Sequence, residues 1–377
     1  MPPYYKYLVH METATEITLS KKKLTSLFKD NEKSAAAINL VYVTDMQPGI
    51  ARKKKGSGFV YLYNGKPVKD EETIFRIKRL VLPPAWQKVW ICANQNGHLQ
   101  ATGLDAKNRK QYKYHPLWNA LRNQTKFNHL YEFGKALPAM RKRLQHDLAL
   151  HGLPLEKVLA TVVSVMQCTC IRVGNNQYEK LYGSFGLTTL KDKHVKFNGQ
   201  TVQFTFTGKK GVHQDIGLKS KRLAGIVQQC RDIPGKELFQ YYDDKGKRHP
   251  IDSGMVNNYI KEISGGDFTA KDFRTWSGTL RAIEAFKEMG HSDTITGTKK
   301  NIVAALDAVA TQLGNTRTVC KKYYVHPMVI DHYTNNTIDK YLGKPGDVTC
   351  DPIKDLSLEE QVMMSMLADT SSAVIAA

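Results

Sequence analysis

Two adjacent tyrosines, Tyr323 and Tyr324, follow Lys321 and Lys322 in QLGNTRTVCKKYYVHP, with Gly314 and Asn315 one short helix upstream. A phenol with a pKa near 10 is a weak nucleophile unless it is positioned and electrostatically assisted. Attack on a phosphodiester needs cations on the non-bridging oxygens as charge builds in the transition state. Arginine suits that task because its planar fork binds two phosphate oxygens at once. A proton donor must also reach the leaving oxygen, and lysine can serve. Candidates for these parts stand at three other places. Arg172 and Gly174 lie in IRVGNNQY, Lys209 in FTFTGKKGV, and Lys271 and Arg274 in KDFRTWSGTLRA. Each also has an ordinary structural use. Arg172 could satisfy carbonyls at the C-terminus of the long apolar helix it is expected to end. Lys209 could be a solvated turn residue. Lys271 and Arg274 could be surface cations over a packed aromatic.

The elements that would carry these residues are legible as patterns. Val158, Val162 and Val165 recur at helical spacing in LPLEKVLATVVSVMQCTCIRVGN, so Arg172 should end a long apolar helix. Val202, Phe204 and Phe206 alternate with polar residues, which predicts a strand with one buried face. The GKKG after it reads as a hairpin tip carrying Lys209. Helical patterns continue through KRLAGIVQQCRD, GMVNNYIKEIS, FRTWSGTLRAIEAFKEM and KKNIVAALDAVATQLG. Ahead of these, INLVYVTD, GFVYLYNGKPV and VWICANQNGHLQATGLDA read as strands with Asn-Gly turn chemistry. The fold class expected is α+β: a small β-rich N-terminal domain and a larger, mainly α domain with a small hairpin sheet. The boundaries expected are an extension over residues 1–36, the β-rich domain over 37–120, the helical domain over 121–347 and an acidic tail over 348–377.

Composition narrows the partner. The chain of 377 residues carries 55 Lys+Arg against 35 Asp+Glu, a formal net charge of +20. An excess of that size draws in polyanions, and a nucleic-acid backbone rewards many distributed cationic contacts. The six cysteines form no CxxC pair and no Cys/His set with zinc-ligand spacing. They are expected to be reduced thiols of an intracellular protein. The first residues lack the apolar segment of a signal peptide, and no run is long and apolar enough to span a bilayer. A cytoplasmic, nucleoid-associated location follows as the expectation.

Taken in order, IRVGNNQY, FTGKKG, KDFRTWSGT and LGNTRTVCKKYYVHP resemble the type IB DNA topoisomerases of the poxviral and bacterial kind. The resemblance implies a β-rich N-terminal domain and a mainly α catalytic domain closing as a clamp around duplex DNA. It also implies relaxation of positive and negative supercoils through a transient 3′-phosphotyrosyl nick, by a monomer that uses no ATP, metal or other cofactor. Carried over position by position, it makes Tyr324 the nucleophile, Arg172, Arg274 and Asn315 the transition-state stabilisers, and Lys209 the general acid. Tyr324 rather than Tyr323 is chosen by register, because the family's nucleophile follows the Asn/His position by nine residues. Lys271 matches a position that approaches DNA. A further block, AKNRKQYKYHPLW, resembles the poxviral segment that reaches base edges, which implies DNA contacts for Arg109, Gln111, Tyr112 and Tyr114. Glutamine can pair with a base edge and tyrosine faces can pack on sugars. The same alternation also suits any half-buried strand.

Two other classes compete. A tyrosine recombinase shares the nucleophile chemistry but usually carries histidine three residues before the second arginine, where this chain has Lys271. An architectural DNA binder would use the same cations only to neutralise phosphates, and would never form a covalent adduct.

Overall fold

The computed structural model describes residues 17–27, 30–106, 108–342, 356–369 and 372–375. They fall into two compact units. One holds the described residues up to His129 together with 372–375. The other is Leu130–Asp369.

The first unit opens with β1 (Ile17–Ser20), α1 (Lys21–Leu27) and α2 (Asn31–Ala36). Asp30 caps α2 by accepting from Lys33 N. A sheet follows, built from β2 (Ile50–Lys55), β3 (Gly58–Tyr63), β4 (Lys66–Pro67), β5 (Gln87–Ile91), β6 (Leu99–Leu104) and β7 (Lys110–Tyr114). The helix α3 (Glu71–Arg79) is inserted before β5. The strands pair antiparallel in the order β4-β3-β2-β5-β6-β7. Asn64 and Gly65, with φ of 48° and 79°, form the two-residue turn that pairs Tyr63 with Lys66. Asn-Gly tolerates the left-handed backbone this turn needs.

Two strand expectations in this unit change. INLVYVTD is not a strand. Asn39 takes a positive φ of 58°, and only Val41 bridges, to Gly97. Three of its apolar residues are still buried: Ile38 and Leu40 pack with Leu24, Leu27, Trp118 and Leu121, and Val43 with Cys92 and Leu99, while Val41 is exposed. The strand beside β3 is instead IARKKK, which has no apolar alternation to announce it. Tertiary pairing overrides its composition. Arg52 donates to the carbonyls of Leu82, Pro83 and Trp86, and so satisfies the loop leading into β5.

The long helix α4 (Pro116–Leu148) starts earlier than its periodicity suggests and contains Pro138. The division between the units falls within it. The second unit continues with α5 (Leu155–Thr169) and α6 (Asn176–Tyr182). Next come β8 (Val195–Asn198), β9 (Thr201–Thr207) and β10 (His213–Lys219), a sheet of order β10-β9-β8, followed by α7 (Lys221–Arg231). A ribbon of β11 (Gln240–Tyr242) and β12 (Arg248–Pro250) precedes α8 (Ser253–Ser264), α9 (Ala270–Met289) and α10 (Ile295–Leu313). Then come α11 (Arg317–Tyr323), α12 (Pro327–Thr334), α13 (Asp339–Leu342) and α14 (Leu358–Asp369). The last strand, β13 (Ser372–Ile375), pairs antiparallel with β1.

The core of the second unit is centred on α5. Val158, Val162, Val163 and Val165 are fully buried, as a helix apolar on most sides must be. Cys170, Cys230 and Cys320 are buried thiols here, whereas Cys168 is exposed; Cys350 lies outside the described residues. From the acidic tail, α14 inserts Met363, Met364, Met366 and Leu367 into this same core. Its Glu360 accepts two hydrogen bonds from Arg141, at 2.8 and 2.7 Å, and one from Trp276 Nε1 at 2.9 Å.

Candidate active site

The segment carrying Arg172 is shaped by two glycines. Helix α5 stops at Thr169 because Cys170 turns left-handed, with φ 56° and ψ 15°. Arg172 therefore stands beyond the helix rather than in its last turn, which corrects the expectation from the sequence. The chain there is strapped to 186–188: Leu187 N donates to Arg172 O at 2.9 Å and Thr188 N to Val173 O at 2.7 Å. Gly174, with φ 104°, and Gly186 make the close approach possible. A Cβ on Gly186 would sit 2.6 Å from Arg172 O and from Gly174 N. Phe185 N in turn donates to Thr207 O at the end of β9.

Arg274 lies on the first turns of α9, only 5% exposed, so it is no surface cation. It takes the structural use that the sequence suggested for Arg172. Its guanidinium donates to Cys170 O at the end of α5, and to Leu313 O at the end of α10 at 2.8 Å. Its Nε is buried without a hydrogen-bond partner. Arg172 Nη2 donates to Asn315 Oδ1 at 2.5 Å and to Gly314 O at 3.3 Å. Because that carbonyl oxygen is taken, Asn315 presents its amide nitrogen, and Nδ2 is likewise buried without a partner. Buried donors are nearly always satisfied, so two orphans in one place mark a site shaped for an acceptor.

Gly278 and Thr279 on α9 fix Tyr324. A Cβ on Gly278 would come within 2.8 Å of Tyr324 O and 3.1 Å of its Cβ, so only glycine admits the Tyr324 backbone here. Thr279 Oγ1 donates to Tyr324 O at 3.2 Å and accepts from His326 N at 3.1 Å. The Arg274 guanidinium carbon stands 5.2 Å from the Tyr324 ring centroid. Tyr323 points elsewhere and is 39% exposed. Sequence reasoning missed Gly186, Gly278 and Thr279. A glycine inside a helix, costing about 1 kcal/mol against alanine, is the signal that could have found Gly278.

Arg172, Lys209, Lys271, Arg274 and Tyr324 line one cleft, together with Gly174 and Tyr178. Lys209 sits at the tip between β9 and β10, with Nζ 5.4 Å from the centroid of the Tyr178 ring. Four cations and no carboxylate line this cleft. Its electrostatic strain is visible in Arg172, whose pKa is drawn down to about 10 by burial first and then by the like charge of Arg274, against a smaller opposing pull from Tyr324 and Cys320. Burial likewise pushes the Cys320 thiol up to about 11, although Arg274 and Arg172 pull it the other way. An anion in the cleft would relieve the first.

The other predicted contacts lie on β7 and just before it. Arg109 pairs with Asp105 at 2.7 Å, and Gln111 Nε2 donates to the same carboxylate at 2.9 Å. Tyr112, 50% exposed, stacks on the half-buried Tyr114 with ring centroids 6.0 Å apart. Tyr114 also packs against two of the small cores of its unit, those of Leu117 and Trp118 and of Val43 and Leu99.

The second unit thus holds a buried, cationic, acid-free cleft with a phenol at its wall, a site matched to a phosphoester. Comparison with known proteins agrees with that class. Residues 109–343 match the family model described as eukaryotic DNA topoisomerase I, catalytic core, and residues 58–105 that of the bacterial DNA topoisomerase IB N-terminal domain. A DNA topoisomerase 1B of Acanthamoeba polyphaga mimivirus is 32% identical over 300 residues, which is 77% of this chain and 89% of the relative. The DNA topoisomerase 1B of vaccinia virus (strain Copenhagen) is 22% identical over 295 residues, 74% and 90% of the two chains. The chain belongs to the type IB DNA topoisomerases, isomerases that act on DNA. The recombinase and architectural alternatives are thereby set aside. Among the described residues no helix is long and apolar enough to cross a membrane.

Proposed function

We propose that Tyr324 Oη attacks a backbone phosphorus of duplex DNA, forming a 3′-phosphotyrosyl bond as the bond from phosphorus to the 5′-oxygen breaks. The tyrosine proton leaves to solvent, and Lys209 delivers a proton to the departing 5′-oxygen. Arg172, Arg274 and Asn315 hold the non-bridging oxygens, where fixed donors are worth most because they need no reorganisation as charge develops. The broken strand then swivels about the intact one, releasing supercoils of either sign, and the 5′-hydroxyl attacks the phosphotyrosine to reseal the nick. Each step exchanges one phosphoester for another, so the energy of the bond is kept and no ATP is consumed. Fixed side-chain cations supply the charge that a metal would otherwise bring, and the enzyme acts as a monomer because one tyrosine cuts one strand. Lys271 adds to phosphate affinity beside the cleft, and Arg109, Gln111, Tyr112 and Tyr114 contact the duplex from the first unit, the two units closing on DNA as a clamp. A cytoplasmic, nucleoid-associated location accompanies that substrate.

The observation that carries this reading is the gathering of Tyr324 with Arg172, Lys209, Lys271 and Arg274 about one cleft whose lining holds no carboxylate. The test is to denature the protein during relaxation of a supercoiled plasmid and to look for protein covalently joined to a 3′ end. Native protein and Tyr323→Phe should give the adduct, and Tyr324→Phe should not. An adduct retained in Tyr324→Phe, or plasmid relaxed by it at the native rate, would overturn the assignment.

A further inference from the structure

The turn between β6 and β7 is organised around one carboxylate. Asp105 N donates to Arg109 O at 3.0 Å and Asn108 N to Asp105 O at 2.9 Å, closing the turn. The Asp105 side chain, 16% exposed, then accepts from Arg109 N at 3.0 Å, Arg109 Nε at 2.8 Å and Arg109 Nη2 at 2.7 Å. It accepts from Gln111 Nε2 at 2.9 Å as well. An ionised carboxylate is acceptor-only, so this contact fixes which way the Gln111 amide faces. Nitrogen is turned toward Asp105, and Oε1 is the end left to meet a ligand. A glutamine free to rotate can pair in two directions with adenine, or donate to guanine or thymine; here one amide hydrogen is held by Asp105 and Nε2 also meets Arg109 O at 3.5 Å, which leaves Oε1 as the group available to a base.

We propose that Asp105 is a specificity-determining positioning residue. By holding Gln111 Nε2, it makes Gln111 an acceptor-only reader of the major groove. Bases that offer an amino hydrogen there, adenine through N6 and cytosine through N4, are favoured at the position Gln111 meets. Guanine and thymine present acceptors at the corresponding places and are disfavoured. Arg109 neutralises the carboxylate, so that Asp105 can sit at a DNA-facing turn without repelling the backbone. The proposal deepens, and rests on, the assignment of Gln111 as a base contact and Tyr324 as the nucleophile.

The experiment uses the full chain on a duplex library randomised around the scissile phosphate, with covalent adducts trapped by denaturation and their DNA sequenced. Native protein should enrich adenine and cytosine over guanine and thymine at one position by about fivefold or more. Gln111→Ala should lose that preference, and Asp105→Asn, whose Oδ1 can still accept from Gln111 Nε2, should keep it. Asp105→Ala should admit guanine and thymine there, because the released amide can turn and donate, while preferences at other positions stay as in native protein. If Asp105→Ala proves unfolded by its thermal melt, the Asp105→Asn pattern decides: a preference moved off adenine and cytosine overturns the proposal. So does an Asp105→Ala protein that is slower on every sequence with an unchanged base pattern, or a native pattern indifferent to Gln111→Ala. Failure of native protein to form any adduct is distinguishable from these, since it overturns the nucleophile assignment and this proposal with it.

Discussion

The cleft around Tyr324 and the turn around Asp105 handle their cations in opposite ways. In the cleft, Arg172, Lys209, Lys271 and Arg274 stand together with no acid among the lining residues, and the Nε of Arg274 has no acceptor. At the turn, Arg109 and Gln111 are tied to one carboxylate. A group meant to stabilise charge that appears only in a transition state must be kept unmatched beforehand, at a cost in stability. A group meant to read a base gains more from being held in one orientation. A third arrangement, Glu360 with Arg141, is matched and buried, and belongs to the core alone.

That contrast predicts where substitutions act. The largest effect is Tyr324→Phe, which should abolish covalent adduct formation while leaving duplex binding within a few-fold of native by gel shift; Tyr323→Phe should relax plasmid normally. Next, Arg172→Met should slow cleavage by about 10² to 10³ in single-turnover assays. Its folded stability in urea should be equal to native or higher, because the substitution removes a cation held near a like charge. A large loss of stability instead would place Arg172 with the matched group. Gly278→Ala should slow cleavage by about 10²-fold, through displacement of the Tyr324 backbone by a few tenths of an ångström to 1 Å, with substrate affinity little changed.

Glu360→Ala should show the converse pattern. Arg141 would lose its carboxylate, costing about 3 kcal/mol of unfolding free energy, while the cleavage rate of the folded fraction stays near native. Burial alone would raise the Glu360 pKa, but the Arg141 hydrogen bonds and charge hold it below its usual value of 4.5. A depressed folded-state pKa contributes stability above the unfolded value, lost as pH falls further. The difference between native and Glu360→Ala should therefore shrink below about pH 4.5. The smallest effect is at the alkaline end. Cleavage by the free enzyme should weaken at alkaline pH sooner than an ordinary arginine would allow, because burial and the like charge of Arg274 lower the Arg172 pKa. Bound DNA favours the charged form, so the limb for the complex should lie at higher pH than that for free enzyme.

Much of the helical unit could be read in advance, because its elements are long and periodic. The burial of Val158, Val162 and Val165 and the alternation of Val202, Phe204 and Phe206 emerged where the pattern put them. The first unit was less legible. INLVYVTD has a strand's composition and buries Ile38, Leu40 and Val43 without joining the ladder, whereas IARKKK joins it with only Ile50 buried. Short strands depend on what lies beside them, which local sequence does not record. Among the chemical residues, types and order were visible, but environments were not. Arg172 was expected to end α5 and stands past it, and the structural role considered for Arg172 belongs to Arg274.

The sequence by itself determined the inventory: a phenol, two arginines, a lysine-bearing hairpin tip and an asparagine behind a helix-ending glycine, in an order shared with one enzyme family. It could do so because side-chain chemistry and periodicity are local properties. Only the tertiary structure decided which donors were left unmatched, which tyrosine faces them, and which end of Gln111 is turned outward. Those outcomes rest on contacts between residues distant in the chain, such as Gly278 with Tyr324 and Arg172 with Asn315, and on burial, which no stretch of sequence carries alone.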